Sequence, residues 1–503
     1  MKKRTHSRIQ HRLAVLAFWL VCCFSFGISI HCSNPPAEQE KAQGAEPTSA
    51  DTSGSTDTQN STPDSSTQPD NQTDPPDNNT GTDTPQTTPD TTAPDAAQPD
   101  PSSPEPTVQD TTNPPDTVSP PDTTLPPDKV TPEPTPEVIA DKPTGRIIRV
   151  GPTRKYKKPS EAARIVIDGD TVEIDKGLYK GDVAVWRKNR LTIRGVGGKA
   201  HLAANGNSAE RKATWVIKGN DTVLENIEFS GAKVKDRNGA GIRQEGTNLT
   251  IRHCYFHDNE NGILAGGNAN STILIEYSIF ARNGYGKGYT HNMYINRIKH
   301  FILRYSYTHH TKVGHNVKSR AMRNEILYNR ITDEKDGNSS YNIDIPNGGP
   351  TYIIGNIVQQ SPKASNSTVI SYGAEGLKNP SSAVYLVNNT IVNNRHAGNF
   401  FRVGGKPGTV KVLNNLMIGN GSFQKQSGWD VRGNIVSKTF SGFVNAGSFD
   451  YRLKSSASAK NKGVAVGKAG SYSLQPKYQY KHTANREARK ISGTLDVGAF
   501  EAP

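Results

Sequence analysis

The chain has 503 residues, of which only 33% are hydrophobic, whereas 46 are Gly and 33 are Pro. Residues 33–142 contain almost none of the large apolar side chains, so they cannot bury enough surface to offset the conformational entropy of the chain. This composition excludes the three globular domains that the length alone would suggest. It leaves an apolar leader, residues 1–32, and one folding unit, residues 143–503.

Charge is distributed as unevenly as apolar character. Residues 33–142 carry 21 Asp and Glu against three Lys, whereas the folding unit carries 52 Lys and Arg against 26 Asp and Glu. The formal net charge of +13 for the whole chain conceals this difference. A strongly basic folding unit favours a polyanionic partner, and acidic polysaccharide, nucleic acid and anionic lipid are the classes to consider.

The leader has the order of charge and hydropathy that is typical of an export signal. Five basic residues precede the apolar run 13–30, and no acidic residue accompanies them. The run is also long enough to remain as a membrane anchor, and Cys32, directly after it, is a candidate lipoprotein cysteine. We predict an exported protein, extracellular or at the cell surface, that contacts a membrane only through this segment. Cleaved signal, lipoprotein and retained anchor all remain open.

Residues 33–142 are rich in Thr, Pro and Asp, with near-repeats of Pro-Pro-Asp-Thr. This composition predicts a disordered, extended linker that holds the folding unit away from the cell surface, or a solubilising tail. Cysteine usage limits the folding unit further, because Cys254 is its single cysteine. A disulfide framework and a cysteine-ligated zinc cluster are therefore excluded there.

The folding unit repeats a short β-rich run that contains Asn next to a bulky apolar residue. Examples are 327–331, 354–358, 387–391, 413–417 and 432–436. Starts that recur roughly every 20–30 residues, with alternation inside each run, predict an all-β solenoid with one such run in each coil. The recurrent Asn predicts a turn at which amide side chains stack along the axis. A short helix that starts at Pro159 is predicted to cap the stack.

Three segments carry a resemblance to a known family: Gly-Asp-Thr-Val at 169–172, Asn-Asn-Thr-Ile at 388–391 and Asp-Val-Gly-Ala-Phe-Glu at 496–501. They resemble secreted bacterial right-handed parallel β-helix proteins, a group that includes polysaccharide lyases, epimerases and hydrolases. The resemblance covers about residues 145–501. It implies a right-handed parallel β-helix and a carbohydrate-active protein, and it leaves the reaction open.

A second series of strands lies between the Asn-bearing runs, and three of its members share the frame His/Tyr-Asn-apolar-polar. Alternate side chains of a strand face opposite ways, so we assign Met293, Val317 and Ile343 to the interior. The outward rows on successive coils are then Asn292, Asn316 and Asn342, followed by Tyr294, Lys318 and Asp344, followed by Asn296 and Arg320. Adjacent coils lie about 4.8 Å apart, so the members of each row stand side by side, and these rows predict an open groove that holds a polymer.

Histidine is concentrated near this groove, because seven of the 13 histidines lie between residues 253 and 315. His291 and His315 each start a strand of the series. We interpret them as hydrogen-bonded corner residues, with an acid–base role as the alternative. No metal ligands are assigned, and no cofactor is required. Asp333, Asp336 and Asn338 resemble a calcium loop only loosely, so Ca²⁺ stays a minor alternative.

A basic groove suits cleavage of a polyuronate by β-elimination, which needs a base, an acid and a group that neutralises the substrate carboxylate. The resemblance implies a Lys or Arg base with a cation beside it. Lys318 is the candidate base, because Arg320 favours its neutral form, although Asp344 opposes this. Tyr294 or His291 is the candidate acid. The candidate substrate-binding residues are Asn292, Asn316, Asn342, Asp344, Arg243 and Glu375.

Other functions remain open for the same groove. The same residues without expulsion of a leaving group would make a C5 epimerase. A glycoside hydrolase needs two carboxylates at a defined separation, and only Asp344 is central in the predicted rows. A non-catalytic glycan-binding or adhesion module needs no proton-transfer groups at all. Nucleic acid is excluded as a partner by the export signal and by the lack of a base-stacking motif, and the sequence predicts no oligomeric state.

Overall fold

A computed structural model describes residues 145–503 of the chain. The predicted leader, 1–32, and the predicted linker, 33–142, lie outside the described residues. Within 145–503, no helix is long and apolar enough to span a membrane.

The described chain winds into coils that each contribute up to three parallel strands, and the strands of successive coils pair in three stacks. Stack 1 consists of Ile147–Val150, Thr171–Lys180, Thr192–Ala203, Thr222–Glu225, Leu249–Arg252, Asn268–Glu276, Ile298–Arg304, Asn324–Leu327, Thr351–Ile354, Ala383–Val387, Thr409–Leu413 and Asp430–Arg432. Stack 2 consists of Ile227–Ser230, Tyr255–His257, Ile279–Ala281, Tyr307–His309, Arg330–Thr332, Ile357–Gln360, Thr390–Asn393, Leu416–Gly419 and Ile435–Ser437. Stack 3 consists of Ala184–Trp186, Ala213–Ile217, Ala240–Gln244, Asn261–Ala265, Met293–Ile295, Val317–Ser319, Ile343–Ile345, Thr368–Tyr372 and Asn399–Val403.

The core runs along the axis of the coils, because every second side chain of each strand points inward. In stack 2, Phe229, Phe256 and Phe280 are fully buried and stack ring on ring, with centroids 5.0 and 4.5 Å apart. Aromatic stacking of this kind adds to the stabilisation from apolar burial. The prediction of an all-β parallel β-helix over the folding unit is confirmed.

A ladder of amides, buried except for its half-buried last member, joins the coils at the turn between stacks 1 and 2. Its members are Asn329, Asn356, Asn389, Asn415 and Asn434. Each of the first four donates from Nδ2 to Oδ1 of the next, at 2.9–3.0 Å. The residue before an Asn often lies in the left-handed region, as Tyr328 does at a φ of 57°, and this conformation produces the sharp turn. The predicted amide stacking is confirmed.

A helix covers the start of the solenoid, and the C-terminal segment packs back along its side, where the Tyr472 ring lies 4.2 Å from that of Tyr352 and Arg486 donates to the Tyr305 hydroxyl. Helix α1, Pro159–Ile165, follows the first strand, and its Ala162 is fully buried in the core. After the last coil the chain forms three antiparallel hairpins, with strands Phe443–Asn445 and Asp450–Leu453, Lys468–Ala469 and Tyr472–Ser473, and Tyr478–Lys481 and Asn485–Ala488. A 3₁₀-helix, Ala446–Ser448, lies within the first hairpin. The terminal residues 496–501 pack on the last coils, where Asn388 donates to the carbonyl of Asp496.

Candidate functional site

The outer face of stack 3 aligns three polar side chains that the sequence places in one row. Backbone pairing sets Tyr294 beside Lys318, and Lys318 beside Asp344. On the same strands, Met293, Val317 and Ile343 are fully buried in the core, as predicted. The alternation of each strand therefore fixes the outward direction of the polar row.

This row extends in both directions along the axis of the coils. Ser371 pairs with Asp344, and Arg402 pairs with Ser371. On the other side Leu264 pairs with Tyr294, and Arg243 pairs with Leu264. We call these seven residues the outer file: Arg243, Leu264, Tyr294, Lys318, Asp344, Ser371 and Arg402. At about 4.8 Å per coil, the file is about 30 Å long.

Lys318 lies between two carboxylates. Its Nζ is 3.6 Å from Oδ2 of Asp344 and 3.6 Å from Oε1 of Glu375. The Lys318 side chain is 12% exposed and that of Asp344 is 3% exposed, so the pair lies at the floor of the site. Burial opposes the charge of Asp344, but contacts with His315 and Lys318 lower the pKa of its carboxyl. The aspartate is therefore held ionised next to the lysine.

Arg320 binds both oxygens of the second carboxylate, that of Glu375. Its Nη2 donates to Oε1 of Glu375 at 2.8 Å, and its Nη1 donates to Oε2 of the same residue. Nη1 also donates to Asn347 Oδ1 at 2.9 Å, and Nε donates to the Tyr294 hydroxyl at 3.0 Å. Burial opposes the charge of the guanidinium, but these contacts raise the pKa of Arg320. The arginine is thus a permanent cation at a carboxylate-binding position.

The two candidate histidines are buried beneath the polar row and contact two of its members. His291 is 4% exposed, and its Nδ1 accepts the backbone N–H of His315 at 3.0 Å. Its ring lies 5.6 Å from that of Tyr294. Burial, together with nearby His315, Lys318 and Arg320, lowers the pKa of His291 well below its usual range. His315 contacts Asp344, with Nε2 and Oδ2 3.4 Å apart.

The predicted outward row of Asn292, Asn316 and Asn342 is wrong, because all three side chains are fully buried. Asn292 donates to Asn316 Oδ1 at 2.8 Å, and Asn316 donates to Asp333 Oδ1 at 3.0 Å. Asn342 donates to the carbonyl of Gln359. These residues lie where the chain bends into stack 3, so their side chains satisfy buried polar groups of the bend. They cannot contact a polymer.

The other predicted substrate-binding residues lie at different places on or beside the outer face of stack 3. Arg243 is in the outer file but three coils before Lys318, and its Nε is 3.9 Å from Glu245. Glu375 follows the strand Thr368–Tyr372 on a loop, and this loop brings it back to Arg320. Pairing of the strands alone does not reveal that contact. Asn347, also on a loop, was not a sequence candidate.

The described residues do not fit the calcium site that the sequence leaves as a minor alternative. Asp333 is fully buried, and its two oxygens accept from Asn316 and Ser339. In the groove, Asp344 and Glu375 lie against Lys318, so an ammonium group stands where a divalent cation would bridge the two carboxylates. No step of the chemistry below is assigned to Ca²⁺ for this reason.

Solved structures show what this chain is similar to. Pectate lyase Pel9A matches with a TM-score of 0.50 at 15% identity, covering 72% of this chain and 97% of the lyase. Pectin methylesterase from Aspergillus niger matches with a TM-score of 0.28 at 10% identity, over 61% and 94% of the two chains. A mutant of the PL6 family alginate lyase AlyGC matches with a TM-score of 0.21 at 12% identity, over 59% and 54%. The likeness to Pel9A supports the parallel β-helix fold.

Neither the protein-family comparison nor the comparison with curated sequences finds a match for this chain.

Proposed function

We propose that the chain cleaves an acidic polysaccharide, a polyuronate, by β-elimination in the groove over the outer file. One observation carries the proposal. Both oxygens of the Glu375 carboxylate accept hydrogen bonds from Arg320, and Lys318 Nζ is 3.6 Å from one of these oxygens. The groove therefore already contains a carboxylate, a guanidinium that binds it and an amine beside both.

A substrate uronate would take the place of Glu375 on Arg320. Two parallel N–H donors form the geometry that a planar carboxylate prefers, and Glu375 is on a loop, 26% exposed, from which it can withdraw. In a uronate, C5 is bonded to the carboxyl carbon. The exchange would bring the C5 proton close to the Lys318 amine.

The reaction then follows from these positions. Arg320 binds the substrate carboxylate and stabilises the negative charge that develops when C5 loses its proton. Lys318 first has to give up its ammonium proton to solvent. Its free amine then takes the C5 proton, the C4–C5 double bond forms, and the C4–O4 bond breaks. Tyr294 accepts a hydrogen bond from Arg320, so its own proton is free to pass to the departing O4. The products are a new chain end and an unsaturated sugar.

The outer file gives the polymer a path along the solenoid. Arg243 and Arg402 lie at its two ends and add positive charge on either side of Lys318. Arg402 is exposed to solvent. A shallow track about 30 Å long suits several sugar units in a row and explains why no deep cavity is needed. Pel9A, a pectate lyase by name, shows that this fold can support chemistry on a polyuronate.

The test is a screen of the purified full chain against alginate, pectate and glycosaminoglycans, with ultraviolet absorbance to detect the unsaturated product. We expect absorbance to rise with at least one of them. Lys318→Ala should abolish the signal but leave retention on the polymer largely intact. Lys299→Ala, which changes an exposed lysine of stack 1, is the matched control and should be active.

Other outcomes of the screen identify the alternatives. Exchange of solvent deuterium into C5 without absorbance would indicate an epimerase. New reducing ends without absorbance would indicate a hydrolase, with Asp344 and Glu375 as its two catalytic carboxyl groups. Retention without any reaction would indicate a glycan-binding module. Each of these results would overturn the lyase assignment.

We also propose that the protein acts outside the cytoplasm. The proposal rests on the basic and apolar order of the leader and on Cys32 behind it. Cell fractionation with N-terminal mass analysis of the mature protein tests it. Incorporation of labelled fatty acid that Cys32→Ser abolishes would identify a lipoprotein, and recovery of the whole unprocessed chain from the cytoplasm would contradict export.

A further inference from the structure

Two histidines and a glutamate converge on the outer face of stack 2, far along the sequence from one another. His201 lies near the end of the long strand Thr192–Ala203, which begins in stack 1 and continues into stack 2. It pairs with Glu228 on the next coil, and Glu228 pairs with Tyr255 on the coil after it. His257 lies two residues beyond Tyr255, so its side chain is on the same outer face. The cluster thus joins three successive coils, and it belongs to a different stack from the outer file.

The three side chains present one ligand atom each at short range. Oε1 of Glu228 is 3.5 Å from Nδ1 of His201 and 3.0 Å from Nε2 of His257. The ligand atoms all lie within 4.8 Å of one another. Nitrogen and oxygen ligands of one tetrahedral zinc ion, with bonds of about 2.0–2.2 Å, are about 3.3 Å apart, so a small rotation of the imidazoles suffices.

The far nitrogen of each imidazole is also engaged. Nε2 of His201 is 2.7 Å from the Ser230 hydroxyl, and Nδ1 of His257 is 2.8 Å from Asp258 Oδ2. Ligating histidines of metal sites usually donate their second N–H to a carboxylate or another acceptor, which fixes the ring and the tautomer. The cluster therefore has the outer contacts of a metal site as well as the ligands.

We propose that His201, Glu228 and His257 bind a divalent transition metal of the Zn²⁺ class. Two imidazoles and a carboxylate are ligands that Zn²⁺ accepts, and they leave a fourth position for water. The side chains are 28%, 22% and 16% exposed, so an ion can enter from solvent. A bound ion would tie three coils together near the start of the solenoid. The proposal does not depend on the reaction in the groove.

The test is calorimetric titration of the metal-stripped full chain with Zn²⁺, comparing variants with the parent. The leader and other histidines can add weak background binding, so the readout is the difference between proteins. We expect His201→Ala, Glu228→Gln and His257→Ala each to lose one equivalent of tight binding, or to weaken it at least tenfold. Asp258→Asn, which changes the outer contact of His257 and the ion pair with Arg282 but none of the three ligands, should weaken it less.

His300→Ala is the matched control, because His300 also faces a glutamate, Glu325, at 3.1 Å, but among the described residues this pair is not part of a cluster of three metal-ligating groups. It should bind like the parent. Co²⁺ gives a second readout, since a four-coordinate site should produce visible absorption that Glu228→Gln removes. Circular dichroism confirms that each variant is folded. Tight binding that survives His201→Ala and Glu228→Gln, or a parent with no tight equivalent, would overturn the proposal.

Discussion

At the scale of single residues, the contact between Glu375 and Arg320 is the most informative feature of the groove. Both carboxylate oxygens of Glu375 accept hydrogen bonds from the Arg320 guanidinium, and Lys318 Nζ is 3.6 Å from Glu375 Oε1. The cations of the site are therefore compensated within the protein. A polyanion has to compete with an internal carboxylate before it binds.

This competition predicts the effect of Glu375→Gln. The substitution keeps the shape of the side chain but removes the charge that pairs with Arg320, so a substrate uronate should bind more tightly. We expect the KM for the cleaved polymer to fall severalfold, whereas Arg320→Ala should raise KM and lower kcat together. Steady-state kinetics on both variants checks this, and a raised KM for Glu375→Gln would show that Glu375 binds substrate instead.

Asp333 gives a prediction about pH and stability. Burial raises the pKa of its carboxyl to about 6, despite hydrogen bonds from Ser339 and Asn316 that favour the ionised form. The unfolded chain has the ordinary, lower pKa. This group therefore stabilises the fold fully below about pH 4, and that contribution is lost as pH rises through about 6.

Asp333→Asn removes the titration, so the variant should gain stability relative to the parent between pH 4 and pH 7. The gain is on the order of 1–3 kcal/mol, because one unit of pKa is about 1.4 kcal/mol. Urea unfolding at the two pH values measures it. A difference between the two proteins that does not change with pH would contradict this account.

At the scale of elements, the amide ladder holds the turns of successive coils in register. Asn356 donates to the carbonyl of Ile326 and to Asn389, and its Oδ1 accepts from the backbone and side chain of Asn329. Its loss leaves several buried polar groups without partners. The ladder thus links the position of each strand to those of its neighbours.

Asn356→Ala should accordingly destabilise the fold by roughly 2–5 kcal/mol, since each unsatisfied buried group costs about 1–3 kcal/mol. Thermal and urea unfolding measure the change. Asn270→Ala, at an exposed position of stack 1, is the matched control and should stay within about 0.5 kcal/mol of the parent. Equal effects at the two positions would mean that the ladder contributes little.

At the scale of the whole molecule, the basic excess of the folding unit predicts how it meets a polymer. It carries twice as many Lys and Arg as Asp and Glu, although the catalytic candidates are themselves compensated. Long-range attraction, rather than the site, should therefore supply much of the association rate. This attraction is screened over about 10 Å at 0.1 M salt.

Retention of the full chain on an immobilised polyuronate should fall steeply as NaCl rises from about 0.05 to 0.5 M. The rise in salt shortens the Debye length and so screens the attraction between the protein and the polymer. Elution from the column with a salt gradient measures the NaCl concentration at which half of the protein is released. Arg402→Ala, which removes an exposed cation at the end of the outer file, should elute at lower salt than Lys299→Ala, which removes one from stack 1. The same elution for both would place the contact surface elsewhere.

The parallel β-helix, its amide ladder and the row of Tyr294, Lys318 and Asp344 were all predictable from the sequence. Each follows from short-range regularities, namely the alternation of a strand and the recurrence of one residue type per coil. The same alternation misplaced Asn292, Asn316 and Asn342, because these residues stand where a strand leaves a bend. There the need to satisfy buried backbone groups decides the direction of a side chain.

Only the tertiary structure decided which distant groups meet. Glu375 reaches Arg320 from 55 residues away through a loop, and His201, Glu228 and His257 meet because three coils stack in register. No spacing in the sequence encodes such contacts, since coil lengths vary and loops follow no period. The sequence determined a solenoid with a polar outer row, because local periodicity is enough for that. The reactivity of a site depends on distances of a few ångström between side chains on different coils, and only the packing of the coils and loops sets those distances.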